Sequence, residues 1–217
     1  MIWEDEGYLL SKANYSENSI IVDVFTSNHG RCSGIIYGGS SRKLKKYLQV
    51  GNKIHVICKS KSENKLGYFQ TELIKAISPL YFNDKKRTSC ILSASSILKV
   101  ILAERQSNKN IYMSFEKLFD SLSKDHWIIQ YIQWELLLIK ELGYDLNLNK
   151  DKKLNIKIND ILYKTPKLFI NDNSDTLTKK DICDALQFNK NLIANNFLDD
   201  KLFKIPRYRA ILEKYYS

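Results

Sequence analysis

Few side chains in this sequence have the types and spacings with which bonds are made and broken. The three histidines, His29, His55 and His126, fall in separate segments, and none has a second His or Cys at metal-ligand spacing. Cys32, Cys58, Cys90 and Cys183 are scattered without a C-x-x-C pair, which argues against a zinc ribbon or a disulfide framework and for reduced thiols. There is no G-x-x-x-x-G-K-[ST] loop, and Gly34-Ile-Ile-Tyr-Gly38-Gly39 lacks the strand-turn-helix context of a dinucleotide fingerprint. A Ser, His and Asp triad is recognised by geometry, so none is singled out here. An enzyme is therefore the weaker hypothesis, and no cofactor is called for. Glu135, set among apolar residues, needs a partner, because a buried charge must be paired. A structural hydrogen bond or ion pair is expected for it before catalysis.

The chemistry that does stand out is charge. Lys and Arg number 34 against 24 Asp and Glu in 217 residues, a formal net charge of +10, which points to a polyanion, either nucleic acid or an anionic membrane surface. The chain is rich in Lys, Asn and Ile, residues with AT-rich codons, so distribution matters more than the total. Between positions 31 and 65 stand nine basic residues, Arg31, Arg42, Lys43, Lys45, Lys46, Lys53, Lys59, Lys61 and Lys65, against one acidic residue, Glu63. The densest part, Ser40-Ser-Arg-Lys-Leu-Lys-Lys-Tyr-Leu48, has Tyr37 and Tyr47 beside it. Phosphate binding, with aromatic side chains for bases, is favoured there over a merely solvated loop.

The elements that must position these residues change character along the chain. From residue 1 to about 78, short β-branched and aromatic runs (Gly7 to Ala13, Ser19 to Thr26, Arg31 to Tyr37, Lys53 to Lys59, Tyr68 to Ile77) alternate with turn-forming segments. Five such strands predict an OB-fold barrel, with the basic loop between the third and fourth strands, where that fold often carries a helix. Beyond Pro79 the period becomes helical, at 91–102, 114–122, 127–142, 180–195 and 207–215. The fold class is thus α+β, with an OB-fold domain over 1–78 that is expected to bind nucleic acid and an all-helical domain over 79–217. The helical part holds an insertion at about 147–178, in which Ile161 to Ile170 reads as a small hairpin.

The stretch Trp127-Ile-Ile-Gln-Tyr-Ile-Gln-Trp-Glu-Leu-Leu-Leu-Ile-Lys-Glu-Leu-Gly143 is apolar nearly all round. It is the expected central helix, with its tryptophans as core packing. It runs about four turns, too short for a bilayer, and no long apolar run appears elsewhere. Met1-Ile-Trp-Glu-Asp-Glu6 has neither the basic nor the apolar region of a signal peptide. No membrane association and a cytoplasmic location follow as expectations.

Tyr15-Ser-Glu17-Asn-Ser-Ile20, Phe25-Thr26, His29-Gly30 and Gly38 resemble the opening signature of the bacterial DNA repair protein RecO family. Trp134-Glu135-Leu-Leu, Glu141-Leu-Gly143-Tyr144 and Leu146 are similar to that family's most recognisable helical segment. The resemblance implies binding of single- and double-stranded DNA, annealing of complementary strands, and work with RecR to load RecA onto DNA coated by single-stranded DNA-binding protein, in a nucleoid-associated setting. Many members carry a four-cysteine zinc site after the Glu-Leu-Gly segment. Here that region reads Asp145-Leu-Asn-Leu-Asn-Lys150, so no zinc is expected. Tyr163-Lys-Thr-Pro166-Lys167 looks like the family's short hairpin without its usual glycine. Within the first signature, Gly30 permits a positive-φ turn, His29 is expected to bond within it, and Phe25 to fill the barrel; direct contact with DNA is not expected of these three.

A tail that is acidic and apolar-ended, as the resemblance implies for the single-stranded DNA-binding protein, needs a basic residue beside an apolar groove. Lys204, Arg207 and Arg209, next to Leu202 and Phe203, are the candidates. The alternative to a recombination mediator is a basic OB-containing RNA-binding or translation-associated module, and a third reading is a nucleic-acid-processing enzyme.

Overall fold

The computed structural model describes residues 1–39, 41–62, 65–144, 155–158, 161–170, 177–197 and 204–217. Backbone contacts group the chain into two compact units, Met1–Tyr112 and Met113–Ser217.

The first unit is built on a closed barrel of β1 (Ile2–Ser16), β2 (Ser19–Thr26), β3 (Gly30–Tyr37), β4 (Lys53–Lys59) and β5 (Gly67–Lys75), paired in the order β1-β2-β3-β5-β4. All pairings are antiparallel except β3 with β5. Strand alternation sends Leu9, Val22, Val24, Ile36, Ile54, Val56 and Phe69 into the interior. Gly34 makes room there, since a Cβ at that position would meet the Phe69 ring at 2.5 Å. This is the OB-fold, with its helix α1 (Arg42–Tyr47) in the expected place between β3 and β4.

β1 begins five residues earlier than the sequence predicts and takes in the acidic start. The acidic run is an alternating strand: Glu4 and Glu6 face solvent while Asp5 is buried. Asp5 accepts bonds from the backbone N–H groups of Asn28 (2.7 Å) and His29 (3.2 Å) and lies 3.0 Å from His29 Nδ1. Burial acts to raise this carboxyl, but the bonds from His29, Asn28 and Glu6 outweigh it and hold it below the usual aspartate value. The β2–β3 turn is thus clamped from β1, and Gly30 adopts the left-handed conformation (φ 69°). Phe25 is buried as expected but does not fill the barrel. Val24 points inward, so Phe25 points outward, against the Tyr112 ring at 5.6 Å.

The unit continues through a short 3-10 turn (Ser78–Tyr81) and α2 (Lys85–Ile101), capped by Asp84, which accepts from the N–H groups of Lys86 and Arg87. The helix lies against the outside of the barrel. Lys99 reaches Asp23 on β2 at 2.8 Å and Ser11 on β1 at 2.9 Å.

The second unit holds most of α3 (Lys109–Ser121), then α4 (Trp127–Glu141), a two-stranded sheet of β6 (Asn155–Ile158) and β7 (Ile161–Lys164), α5 (Lys167–Ile170), α6 (Lys179–Phe197) and α7 (Arg207–Lys214). As expected, α4 is central: Trp127, Ile128, Tyr131, Ile132, Trp134, Leu138 and Ile139 are buried, and Trp134 packs on Phe115 at 5.8 Å between ring centres. The hairpin differs from the sequence reading. It pairs 155–158 with 161–164, and residues 167–170 are helical. Pro166 explains the shift, because it has no N–H for a ladder but suits the start of a helix. Asp145 to Lys150, on which the zinc expectation rests, lie outside the described residues, as do Leu202 and Phe203.

The second unit's core contains a charge network that joins three helices. Arg209 on α7 is fully buried. Its Nε donates to Glu135 Oε1 at 2.6 Å, and its Nη2 donates to Glu135 Oε2 at 3.2 Å and to the Leu186 carbonyl of α6 at 2.6 Å. Glu135 also accepts from the Tyr131 hydroxyl (2.7 Å) and Asn189 Nδ2 (3.1 Å). Burial disfavours the guanidinium charge, but Glu135, Tyr131 and Glu213 keep it well above its ordinary value. The partner expected for Glu135 is therefore Arg209. This removes Arg209 as a docking residue, since a side chain closed off from solvent and bonded on every side has no face for a partner.

Candidate nucleic-acid interface

The six residues of α1 are organised by Ser41, whose side chain accepts from the Leu44 N–H, and by the inward packing of Leu44 and Tyr47 against the barrel core. The remaining four positions, Arg42, Lys43, Lys45 and Lys46, are exposed, and no salt bridge to them is formed among the described residues. Lys45 and Lys46 stand in the last turn, where the helix dipole favours cations, but Arg42 and Lys43 stand in the first, where it opposes them. Tyr47 does not offer a stacking face. Its hydroxyl is bonded to the Thr71 carbonyl at 2.7 Å and it is half-buried.

Lys12 on β1 joins this group, though nothing in the sequence links it to residues more than thirty positions away. It donates to the Leu48 carbonyl at 2.6 Å and shares with Lys45 a crevice of about 260 Å³ between β1 and α1. Burial first, and then the nearby Lys45 charge, lower its pKa. Lys12 stays exposed at the mouth of this crevice, and an anion bound there would offset the Lys45 charge that it feels.

The other five basic residues divide by partner. Lys59, Lys61 and Lys65 are exposed at and around the β4–β5 connection. Arg31 is not free: its Nε donates to the Leu102 carbonyl (2.9 Å) and its Nη1 lies 3.3 Å from Glu104 and 3.6 Å from Asp23. Its outward direction on β3 follows from strand parity, but α2 and the segment after it cover that face. Lys53 is likewise mostly buried, 3.2 Å from Glu6 and against the Tyr8 ring. Near the exposed lysines, Tyr37 and Tyr68 stack at 4.9 Å and 16° with 65% and 43% of their surface open. Nothing in the sequence singles out Tyr68, because only the parallel β3–β5 pairing brings it to Tyr37.

In the second unit, Lys204 and Arg207 are exposed while Arg209 is not. No cluster of three or more His, Cys, Asp or Glu suited to a metal occurs among the described residues. No described helix is long and apolar enough to cross a membrane.

The model of the family "Recombination protein O N terminal" matches residues 1–77, and "Recombination protein O C terminal" matches residues 83–175. A DNA repair protein RecO from Roseobacter denitrificans is 30% identical over 168 residues, covering 77% of this chain and 69% of that one. The chain belongs to the RecO family. Further RecO proteins are similar, from Cereibacter sphaeroides (33% over 150 residues, 69% of this chain and 62% of that one) and Wolbachia pipientis (32% over 161 residues, 73% and 66%). A solved asparaginyl-tRNA synthetase of Entamoeba histolytica aligns at a TM-score of 0.29 and 9% identity, over 89% of this chain and 55% of that one, a likeness too low to carry an argument. RecO membership places this chain in DNA repair and recombination.

Proposed function

We propose that this protein is a non-enzymatic recombination mediator that holds single- and double-stranded DNA by phosphate charge on its barrel and anneals complementary strands. In this reading it works with RecR to place RecA on DNA coated by single-stranded DNA-binding protein, in the cytoplasm at the nucleoid, and without zinc. Residues 1–78 are the DNA-binding domain, and residues 79–217 are a helical domain with a zinc-less insertion at about 147–178. The observation that carries the reading is α1, which turns Arg42, Lys43, Lys45 and Lys46 to solvent and shares a crevice with Lys12. Two of those cations oppose the helix dipole, a local cost that makes sense if an anion lies against the helix.

Lys59, Lys61 and Lys65 extend the phosphate surface, and the exposed Tyr37–Tyr68 pair is placed to stack with bases. Arg31 and Lys53 support the barrel through Asp23, Glu104 and Glu6 and are set aside as DNA ligands. Lys204 and Arg207 remain the proposed anchors for the acidic tail of the single-stranded DNA-binding protein.

Reversing Arg42, Lys43, Lys45 and Lys46 to Glu tests the reading in binding and annealing assays with complementary oligonucleotides. Both activities fall together while the fold survives, because exposed surface charges contribute little to stability. A reversal at Lys150, Lys152 and Lys153, one residue fewer, controls for net charge. Equal loss in the two variants refutes the assignment of the barrel as the DNA face.

A further inference from the structure

The barrel closes unevenly. β3 and β5 share two parallel registers, Gly34 with Gly67 and Ile35 with Tyr68. On the other side of that crossing, Arg31 of β3 instead bridges to Glu104, and the Arg105 N–H donates to the Arg31 carbonyl at 2.8 Å. A cavity of about 320 Å³ opens where the strands part, and its lining includes Trp3, His29, Cys58, Phe69, Lys65 and Arg105. That volume is at the lower edge of the roughly 300–1,000 Å³ found for small-ligand sites, which suits one base-sized group and not a run of strand.

Its chemistry has an aromatic part and a cationic part. The Trp3 indole lies on the His29 imidazole at 4.1 Å and 15°, and the Phe69 ring meets Trp3 edge-on at 5.9 Å. Asp5 fixes the imidazole through Nδ1, so the aromatic wall is preorganised. The charged side chains lining the cavity are Lys65 and Arg105, the Met1 ammonium bonds the Ser60 carbonyl at its rim at 2.7 Å, and no acidic residue lines it among the described residues. Arg105 donates to the Lys65 carbonyl at 3.3 Å. Burial pushes the Cys32 thiol up to about 12, with the Arg105 charge working against that rise and the Glu104 and Asp5 carboxylates, which do not line the cavity, adding to it.

Arg105 is also the one non-glycine residue with positive φ (59°) among the described residues. A residue with a Cβ is disfavoured there, and Asn or Gly would sit with less strain. Outliers of this kind gather where a side chain must be held at a ligand.

We propose that this cavity takes one nucleotide of a DNA strand, with its base against the Trp3 indole, which His29 supports by stacking, and its phosphate on Arg105 and Lys65. The inference rests on the barrel's reading as the DNA-binding element and adds to it a defined pocket. Continuity supports the choice of a strand: Tyr68, at the edge of the crossing, stacks on Tyr37 and is paired across β4 with Lys59, so backbone charge and exposed rings lead to the pocket.

Tryptophan emission tests it directly, because Trp127 and Trp134 are only 4% and 3% exposed while Trp3 is half-open. Full-length protein is titrated with dTMP, thymidine, oligothymidylate with a 5′-phosphate or a 5′-hydroxyl, and a circular single strand. A saturable quench by a DNA strand is expected, absent in Trp3→Phe and about tenfold weaker or more in Arg105→Asn, as for the removal of one charge-assisted hydrogen bond. The urea midpoint of Arg105→Asn should be equal to or higher than wild type, since strain is relieved. Lys65→Gln, at an exposed position, gives a second reading of the same weakening. Preference for the 5′-phosphate assigns a strand end, and equal quenching by the circle assigns an internal flipped nucleotide; either upholds the pocket.

Silence of Trp3 toward every strand, a quench by dTMP that no strand reproduces, thymidine acting as well as dTMP, or wild-type affinity in Arg105→Asn overturns it. If Trp3 is silent while DNA binding persists and is abolished on reversing the α1 cations, the pocket alone is wrong. A dTMP quench surviving in the α1-reversed variant separates the pocket from the outer surface.

Discussion

Replacing Arg209 with Met should destabilise the helical unit far more than any change at its exposed neighbour Arg207. Arg209 makes two bonds to Glu135, one to the Leu186 carbonyl and one of 3.4 Å to Glu213. Its removal leaves a fully buried Glu135 with only the Tyr131 hydroxyl and the Asn189 amide as donors. Breaking one side of a buried ion pair costs about 3–5 kcal/mol. At about 2–4 °C per kcal/mol for a chain of this size, the Tm falls by roughly 6–20 °C. Arg207→Ala should stay within about 0.5 kcal/mol. Trp127 and Trp134 on α4 report urea unfolding of this core by their emission. The double variant Glu135→Leu/Arg209→Met removes both charges and should recover most of the stability, because the single variant's cost is the stranded carboxylate. An Arg209→Met cost under about 1 kcal/mol, or a double variant worse than the single, would refute this. One practical consequence is that Arg209→Glu cannot probe partner binding, since it measures unfolding first.

Asp5 gives a pH dependence with a definite sign: its pKa is lowered on folding, so its contribution is present above the unfolded aspartate value, near 4, and is lost as pH falls through the lower folded value. Asp5→Asn should flatten the acid limb of a stability-versus-pH curve, and an unchanged limb would contradict the clamp. Elemental analysis of purified protein should find no stoichiometric zinc, and a chelator should leave the Tm unchanged; one zinc per chain would overturn the expectation. Lys204→Glu/Arg207→Glu should weaken binding of an acidic, apolar-ended tail peptide measured by fluorescence anisotropy, with equal affinity removing that surface from consideration.

Much of the barrel is legible in the sequence because strand alternation is local. The limits of β2 and β4 fall where the residue pattern places them, and the need of Glu135 for a partner is visible from its neighbours alone. The acidic start does not read as strand, because Glu4, Asp5 and Glu6 are polar throughout, although only Asp5 faces inward, and the turn it clamps lies more than twenty residues away. Arg31 and Lys12 show the same limit in opposite directions: parity says which side of a strand they leave, but not that α2 covers one and α1 approaches the other. Grouping Arg209 with Arg207 as a docking residue runs against helix geometry. Two residues apart on a helix is roughly 200°, so Arg207 and Arg209 cannot share a face, but that Arg209 is the buried one and meets Glu135 is set by how α7 packs.

The central claim is that exposed cations on the barrel displace counterions from DNA phosphates, and the slope of log affinity against log salt for single-stranded DNA tests it most directly. Replacing Arg42, Lys43, Lys45 and Lys46 with Ala should make that slope shallower by roughly 0.7 for each phosphate no longer neutralised, up to about 2.8 for all four, with little dependence on base sequence, whereas Ala at Lys150, Lys152 and Lys153 should leave it unchanged. Equal flattening in both variants, or none in the first, would contradict the claim.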